Sequence, residues 1–179
     1  MLLHACCAPC LAAPYKHLSE EHDITVFWYN PNIQPYREYL RRLRAFRDYT
    51  SREGINVVED LSYPLEDWLA TAAMLSKKSN VLRCRFCYGE RLYKTAMMAK
   101  NMGMDAFSTT LLLAPYQKHE IVREIGEKIS KKVGILFYYE DMRKWFDESE
   151  ALVRQAGIYR QGYCGCVFSE ADRYWKDNP

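Results

Sequence analysis

Short apolar segments alternate with longer helical ones along this chain, and that alternation restricts its fold more than any other feature. Five segments are predicted to be strands: residues 2–5, 24–29, 55–59, 106–110 and 135–139. Helices are predicted over residues 11–22, 36–53, 64–76, 85–102 and 117–133, with more helix from about residue 149. Connections of this kind join parallel strands by right-handed crossovers. We therefore predict an α/β fold: a mainly parallel sheet with helices on both faces and C-terminal helical additions.

Length and composition predict one folded unit. The 179 residues are 49% hydrophobic, enough for a substantial core, so we expect a single α/β metal-binding catalytic domain over residues 1–179. No apolar run approaches the roughly 20 residues of a membrane span, and residues 1–5 lack the pattern of a signal peptide. We expect a cytoplasmic protein with no membrane partner. The net charge of +2 means that nucleic-acid binding requires a local basic patch.

The cysteines are clustered rather than scattered. All seven lie in three groups: Cys6-Cys7-Ala8-Pro9-Cys10, Cys84-Arg85-Phe86-Cys87 and Cys164-Gly165-Cys166. In a reducing compartment such clusters favour metal binding or catalysis over disulfides. Four thiolates saturate one iron–sulfur cluster or one zinc ion. The remaining thiols therefore indicate a second metal or redox element.

Two pairs of cysteines share the same spacing. Cys84 and Cys87 fall in the first turn of a predicted helix, where both sulfurs can face one centre and the helix N-terminus favours an anionic assembly. Cys7 and Cys10 repeat that spacing after the first strand. Together the pairs predict one four-thiolate site. Structural zinc is an alternative, but zinc pairs usually lie closer together in smaller modules, which favours iron–sulfur.

Cys6 is expected to serve a different ligand set. Neighbouring side chains in a strand or turn point apart, so Cys6 is expected to face away from Cys7 and to be joined by Cys164 and Cys166. Asp141, after the fifth strand, is a predicted oxygen ligand and equally a predicted helix N-cap.

His4 and Tyr163 lie next to these cysteine groups in the sequence. His4 lies within the apolar first strand and is predicted to be a core residue rather than a ligand. Tyr163, beside Cys164, is a candidate proton donor.

One face of the helix predicted over residues 36–53 is rich in arginine, and this basic face is the other candidate functional surface. Arginine suits bidentate phosphate contacts, and the aromatics and amides of residues 28–32 could stack on or hydrogen-bond an exposed base. A solvated helix face is the simpler interpretation. The predicted nucleic-acid contacts are Arg37, Arg41, Arg44, Arg52, Asn30, Asn32 and Arg160.

Several motifs together resemble the QueH family. They are His4-Ala5-Cys6-Cys7-Ala8-Pro9-Cys10, Tyr29-Asn30-Pro31-Asn32-Ile33, Pro35-Tyr36, Arg83-Cys84-x-x-Cys87, Arg91-Leu92, Thr95-Ala96, Thr109-Thr110-Leu111-Leu112, Pro115-Tyr116 and Tyr159-Arg160-Gln161-Gly162-Tyr163-Cys164-Gly165-Cys166-x-x-Ser169. The chain departs from the family pattern at Ala5, usually a serine or similar small residue, and at Gln34, often a histidine. Neither departure touches a cysteine.

The resemblance implies an epoxyqueuosine reductase, an oxidoreductase that acts in the last step of queuosine synthesis. The implied substrate is epoxyqueuosine at the wobble position of tRNA with a GUN anticodon. The implied cofactors are a [4Fe–4S] cluster and an additional mononuclear iron, with an external electron donor and no cobalamin. The implied fold is similar to the adenine-nucleotide α-hydrolase (HUP-like) type. ATP use is not expected, because residues 6–10 contain no glycine-rich phosphate loop.

The resulting hypothesis assigns each cysteine a role. Cys7, Cys10, Cys84 and Cys87 hold the cluster. Cys6, Cys164 and Cys166, with Asp141, hold the single iron or face the substrate, and Tyr163 or water supplies a proton. A cluster with three protein ligands is an equal alternative. The rival functions are an ATP-dependent tRNA sulfur-transfer enzyme and a zinc-stabilised RNA-binding module.

Overall fold

The computed structural model describes residues 1–175. Residues 176–179, the end of the predicted single domain and of its predicted C-terminal helical region, lie outside the described residues. No helix within residues 1–175 has both the length and the apolar character that a membrane crossing requires.

A five-stranded sheet forms the centre of the fold, and every pairing in it is parallel. The strands are β1 (Leu2–His4), β2 (Thr25–Trp28), β3 (Val57–Glu59), β4 (Ala106–Thr109) and β5 (Leu136–Phe137). Their order is β3-β2-β1-β4-β5. The predicted parallel α/β architecture is confirmed, and the strands are up to a few residues shorter than predicted. Because β2 and β4 flank β1 on opposite sides, the strand order reverses at β1, where open parallel sheets form a crevice.

Within residues 1–175, seven α-helices surround the sheet. They are α1 (Ala8–Leu18), α2 (Tyr36–Arg52), α3 (Leu65–Lys78), α4 (Asn80–Asn101), α5 (His119–Val133), α6 (Phe146–Gln155) and α7 (Val167–Tyr174). Helix α1 packs against α2 and α6, whereas α4 packs against α3 and α5. The predicted C-terminal helical additions are therefore α6, which covers α1, and α7, which follows the last cysteine group.

Two helices begin earlier than predicted. Helix α1 begins at Ala8 instead of residue 11, because Pro9 suits a first helical turn, where its fixed φ fits and no N–H is needed. Helix α4 begins at Asn80 instead of residue 85, capped by the Ser79 hydroxyl. The prediction that Cys84 and Cys87 occupy the first turn of their helix is therefore wrong, and the helix N-terminus does not act directly on them.

A serine from α6 completes the hydrogen bonding of α1. Pro14 lies inside α1, where proline has no N–H to donate and its ring crowds the preceding turn. The Ser149 hydroxyl accepts from the backbone N–H of Ala13 (3.0 Å) and donates to the carbonyl of Pro9 (2.7 Å). Ser149 is fully buried. This bridge locks α6 onto the helix that carries Cys10.

Candidate metal centre

The site lies at the carboxyl ends of β1 and β4, beside the point where the strand order reverses. Cys6 follows β1, and Thr110 follows β4. The backbone N–H of Cys6 donates to the Thr110 hydroxyl (3.1 Å), which donates to the Cys6 sulfur (3.4 Å). His4, at the end of β1, is fully buried, and its ring nitrogens lie 2.9 Å from the Thr109 hydroxyl and 3.1 Å from the Tyr29 carbonyl. It is a hydrogen-bonded core residue, as the sequence indicates.

Three thiols form one compact group after β1. The sulfurs of Cys6, Cys7 and Cys10 all lie within 4.8 Å of one another, and those of Cys6 and Cys7 are 3.8 Å apart. The expectation that Cys6 faces away from Cys7 is wrong, because Cys7 is an extended residue at the N-cap of α1, where the chain changes direction. We call these residues the three-thiol group.

The other four thiols line a single cavity of about 220 Å³. Helix α4 contributes Cys84 and Cys87, and the turn before α7 contributes Cys164 and Cys166. Cys87 and Cys166 are buried, whereas Cys164 is exposed. The cavity is also lined by Trp68, Asn80, Arg83, Tyr88, Tyr116, Gln117, Lys118, Ser169 and Asp172. We call this site the four-thiol cavity.

This division differs from the predicted pairing. The sequence pairs Cys7 and Cys10 with Cys84 and Cys87, and Cys6 with Cys164 and Cys166. The structure keeps the first group together and joins the second group to the third. Equal spacing describes only how each pair sits on its own helix; the packing of α4 against the turn before α7 decides which pairs meet.

Burial and mutual hydrogen bonding set the protonation of these thiols. Hydrogen bonds from the Cys10 and Cys7 thiols lower the pKa of Cys6, while burial raises that of Cys7. Burial also raises the pKa values of Cys84, Cys87 and Cys166. The thiols whose pKa is raised hold their protons more firmly than a free cysteine does, so metal binding by them is coupled to proton release.

Besides Thr110, two further side chains that the predicted site omits donate to these sulfurs. Arg91 Nη2 lies 3.2 Å from the Cys87 sulfur, and Gln161 Nε2 lies 2.7 Å from the Cys7 sulfur. Arg91 follows Cys87 by four residues on α4, a spacing that places both on one helix face and could have revealed the contact. No local pattern reveals the contact of Gln161, because the two residues are distant in sequence.

Hydrogen bonds from Arg42 of α2 hold the turn that carries Cys164 and Cys166 in place. Arg42, buried in α2, donates through Nη1 to the Cys164 carbonyl and through Nη2 to the Tyr163 carbonyl, each at 3.2 Å. Its Nε pairs with Glu38 at 2.7 Å. The Gly165 carbonyl between the two cysteines accepts from the backbone N–H of Gln34 (2.8 Å). Arg42 therefore positions the turn rather than adding to the basic face.

Tyr163, the predicted proton donor, and Asp141, the predicted oxygen ligand, both form hydrogen bonds with groups outside the thiol sets. The Tyr163 hydroxyl donates to the Gln34 carbonyl (2.6 Å), and burial raises its pKa to about 12. Asp141 accepts from the backbone N–H and guanidinium of Arg143, which lowers the Asp141 pKa to about 2. Asp141 thus forms the N-cap of the 3₁₀ turn Met142–Trp145, the alternative that the sequence left open.

The arginines of the basic face differ in their freedom. The four arginines of α2 that were predicted as nucleic-acid contacts are all exposed. Arg41 lies over the Tyr159 ring at 3.7 Å, and Arg52 pairs with Asp48 at 2.8 Å. Arg37 and Arg44 form no ion pair within residues 1–175.

The remaining predicted nucleic-acid contacts are less available. Arg160 pairs with Glu150. Asn30 and Asn32 are each about 1% exposed, and Asn30 donates to the Ala5 carbonyl (2.9 Å). The Asn32 amide has no hydrogen-bond partner within residues 1–175. Both asparagines support the interior of the site instead of presenting amides to solvent.

Fold and site together define a doubly wound α/β protein with a cysteine-rich centre suited to metal ions. A family model described as "Epoxyqueuosine reductase QueH" matches residues 1–172. Relatives described in the same words include one from Dehalococcoides mccartyi, 37% identical over 99% of this chain and 96% of its own length. Another, from Thermotoga maritima, is 36% identical over 97% of this chain and 91% of its own length. The chain belongs to the QueH family of epoxyqueuosine reductases, which are oxidoreductases.

Proposed function

We propose that this chain reduces epoxyqueuosine to queuosine at the wobble position of tRNA with a GUN anticodon, the final step of queuosine biosynthesis. The reaction consumes two electrons and two protons and releases the epoxide oxygen as water. The observation that carries the proposal is the gathering of the chain's seven free thiols into two sets, in a chain of this family. We propose a [4Fe–4S] cluster and an additional mononuclear iron as cofactors, without cobalamin.

The donor atoms fit these cofactors. The four-thiol cavity offers the four thiolates that a [4Fe–4S] cluster takes. In the three-thiol group, the 3.8 Å separation of two sulfurs matches the edge of a tetrahedron with metal–sulfur bonds of about 2.3 Å. Three thiolates leave one position open on a single ion. When bound, these groups supply single electrons and a Lewis acid for the epoxide oxygen.

The chain's own residues shape the mouth of the cavity. The Tyr88 hydroxyl donates to Gln117 Oε1 (2.7 Å) and accepts from the backbone N–H of Lys118 (3.3 Å). This pair of bonds holds the exposed segment of Tyr116 and Lys118 beside the thiols. An aromatic ring and an ammonium at this position suit a nucleobase and its phosphate. Because the Tyr163 hydroxyl is engaged with a carbonyl, water reaching the exposed Cys164 is the more direct proton source.

The anticodon arm requires positive charge beyond the cavity. Arg37 and Arg44 lie on the same exposed face of α2, and neither is neutralised by an acidic side chain within residues 1–175. Arg42 ties that helix to the turn of Cys164. A phosphate backbone held on α2 would thus be held close to the thiol site. We propose these two arginines as the main phosphate contacts.

The proposal is tested by anaerobic purification and turnover. The protein is expected to contain iron and sulfide and, with a chemical reductant, to convert epoxyqueuosine in tRNA to queuosine, detected by nucleoside analysis. Turnover is expected without added cobalamin or ATP. A colourless zinc protein that leaves epoxyqueuosine unchanged would contradict the proposal.

The division of the thiols has its own test, the acid-labile sulfide content of two variants. If the four-thiol cavity holds the cluster, Cys164→Ala loses sulfide and Cys10→Ala keeps it. The pairing predicted from spacing requires the opposite result. Loss of sulfide in both variants would indicate a cluster that takes ligands from both sets.

A further inference from the structure

Arg91 is a buried cation with no carboxylate at ion-pair distance among residues 1–175. Its side chain is among the largest fully buried ones, with the residue 1% exposed. No carboxylate oxygen lies within 4.0 Å of its guanidinium within residues 1–175. Arg42 is equally buried but pairs with Glu38 at 2.7 Å. A buried charge without a counter-charge is strongly unfavourable, so the site of Arg91 requires negative charge from another source.

The guanidinium of Arg91 contacts a cysteine sulfur directly. Arg91 donates through Nη2 to the Cys87 sulfur and through Nε to the Cys87 carbonyl, each at 3.2 Å. Its charge also interacts with Cys164 and Cys6. Cys87 and Cys164 belong to the four-thiol cavity and Cys6 to the three-thiol group. Arg91 therefore lies within electrostatic reach of both sets.

We propose that Arg91 is a positioning residue that supplies the counter-charge for the thiolates of the four-thiol cavity. The inference rests on the proposed function, in which these cysteines hold metal as thiolates. The guanidinium of Arg91 has no carboxylate at ion-pair distance among residues 1–175. Metal loading leaves thiolates around it, and a costly buried charge becomes part of a buried ion pair.

Two measurable consequences follow from this arrangement. First, Arg91 stabilises the loaded protein through this ion pair, so it increases the rise in melting temperature on loading. Second, a fixed positive charge favours the state with the extra electron. Removing that charge should therefore lower the reduction potential of the bound cluster.

The experiment compares Arg91→Met and Arg91→Lys with the wild-type protein, each metal-free and after anaerobic reconstitution with iron and sulfide. For Arg91→Met we expect a smaller rise in melting temperature on loading. We also expect its one-electron equilibrium to shift at least tenfold towards the oxidised form, which is about 59 mV. Arg91→Lys keeps the charge and should stay near the wild-type potential. Arg123→Met, on the exposed face of α5, should leave both measurements unchanged.

The outcomes separate the inference from the proposed function. A loaded Arg91→Met protein with the wild-type potential and the wild-type rise in melting temperature would overturn the inference alone. A wild-type protein that takes up neither iron nor sulfide would overturn the proposed function and the inference with it. If metal-free Arg91→Met does not fold, Arg91→Gln, which keeps an N–H donor, is measured by the same criteria.

Discussion

Gly165 gives the sharpest test of how the fold places the thiols. It separates Cys164 from Cys166 and has a φ of +138°, a conformation that residues with a side chain rarely adopt. A Cβ atom there would lie 2.9 Å from Asn32 Nδ2 and 3.2 Å from Arg42 Nη1. Both neighbours are buried side chains, so neither can move aside freely. Gly165→Ala should therefore displace the turn, and its two sulfurs, from their position against Arg42 of α2 and Asn32.

The loss of unfolding free energy follows from two effects, the unfavourable φ of alanine and the crowding of its Cβ atom. An unfavourable φ costs about 1–3 kcal/mol, and overpacking of a buried site costs about 1–3 kcal/mol more. Their sum has a central value of about 4 kcal/mol. For a chain of this size, each kcal/mol lowers the melting temperature by about 2–4 °C. We expect Gly165→Ala to melt about 8–16 °C lower and to bind less iron and sulfide.

The assay is thermal unfolding of the metal-free protein, followed by anaerobic reconstitution and iron and sulfide analysis. Gly157→Ala is the matched control, because Gly157 has a φ of +65° but a Cβ there would meet nothing within 4 Å. Its free energy of unfolding should fall only by the conformational cost of about 1–2 kcal/mol, and its iron uptake should be unchanged. The reasoning is refuted if Gly165→Ala melts no lower than this control and loads the same amount of iron.

Ser149→Ala should lose about 1–3 kcal/mol of unfolding free energy in urea titrations, since two buried backbone groups of α1 lose their partner; a change below about 0.5 kcal/mol would contradict the bridge. Burial lowers the pKa of His4 to about 4 from 6.5, so between these values the unfolded chain binds more protons. Stability should rise by at most about 3 kcal/mol as pH increases through that window, and His4→Gln should remove this increment when denaturation is compared at pH 4 and pH 7. Asp141→Asn should keep both stability and iron content, because asparagine caps as well as aspartate, and iron loss would indicate a ligand. Changing Arg37 and Arg44 to Glu should weaken tRNA binding at least tenfold in filter binding and reduce its salt dependence by about two counterions, whereas unchanged affinity would exclude this face.

The layers of the fold and the sequence positions of the site were predictable because they depend on local rules. Buried β-branched and aromatic runs predict the strands, and the crossovers make the sheet parallel. Cys6 directly follows the predicted first strand, and in the structure it lies at the end of β1, where parallel sheets form their crevices. The start of α4 was missed because the cap at Ser79 is a weaker signal than the apolar spacing that follows.

The sequence alone determined that thiols follow the first strand, that others share a helix, and that the last group lies on a turn. Only the tertiary structure decided which thiols share a site. It also decided that Arg91 is buried against sulfur and that Arg42 holds the turn rather than a phosphate. The physical reason is that spacing of a few residues is set by local backbone geometry. Contacts between segments far apart along the chain depend on how the helices and loops pack.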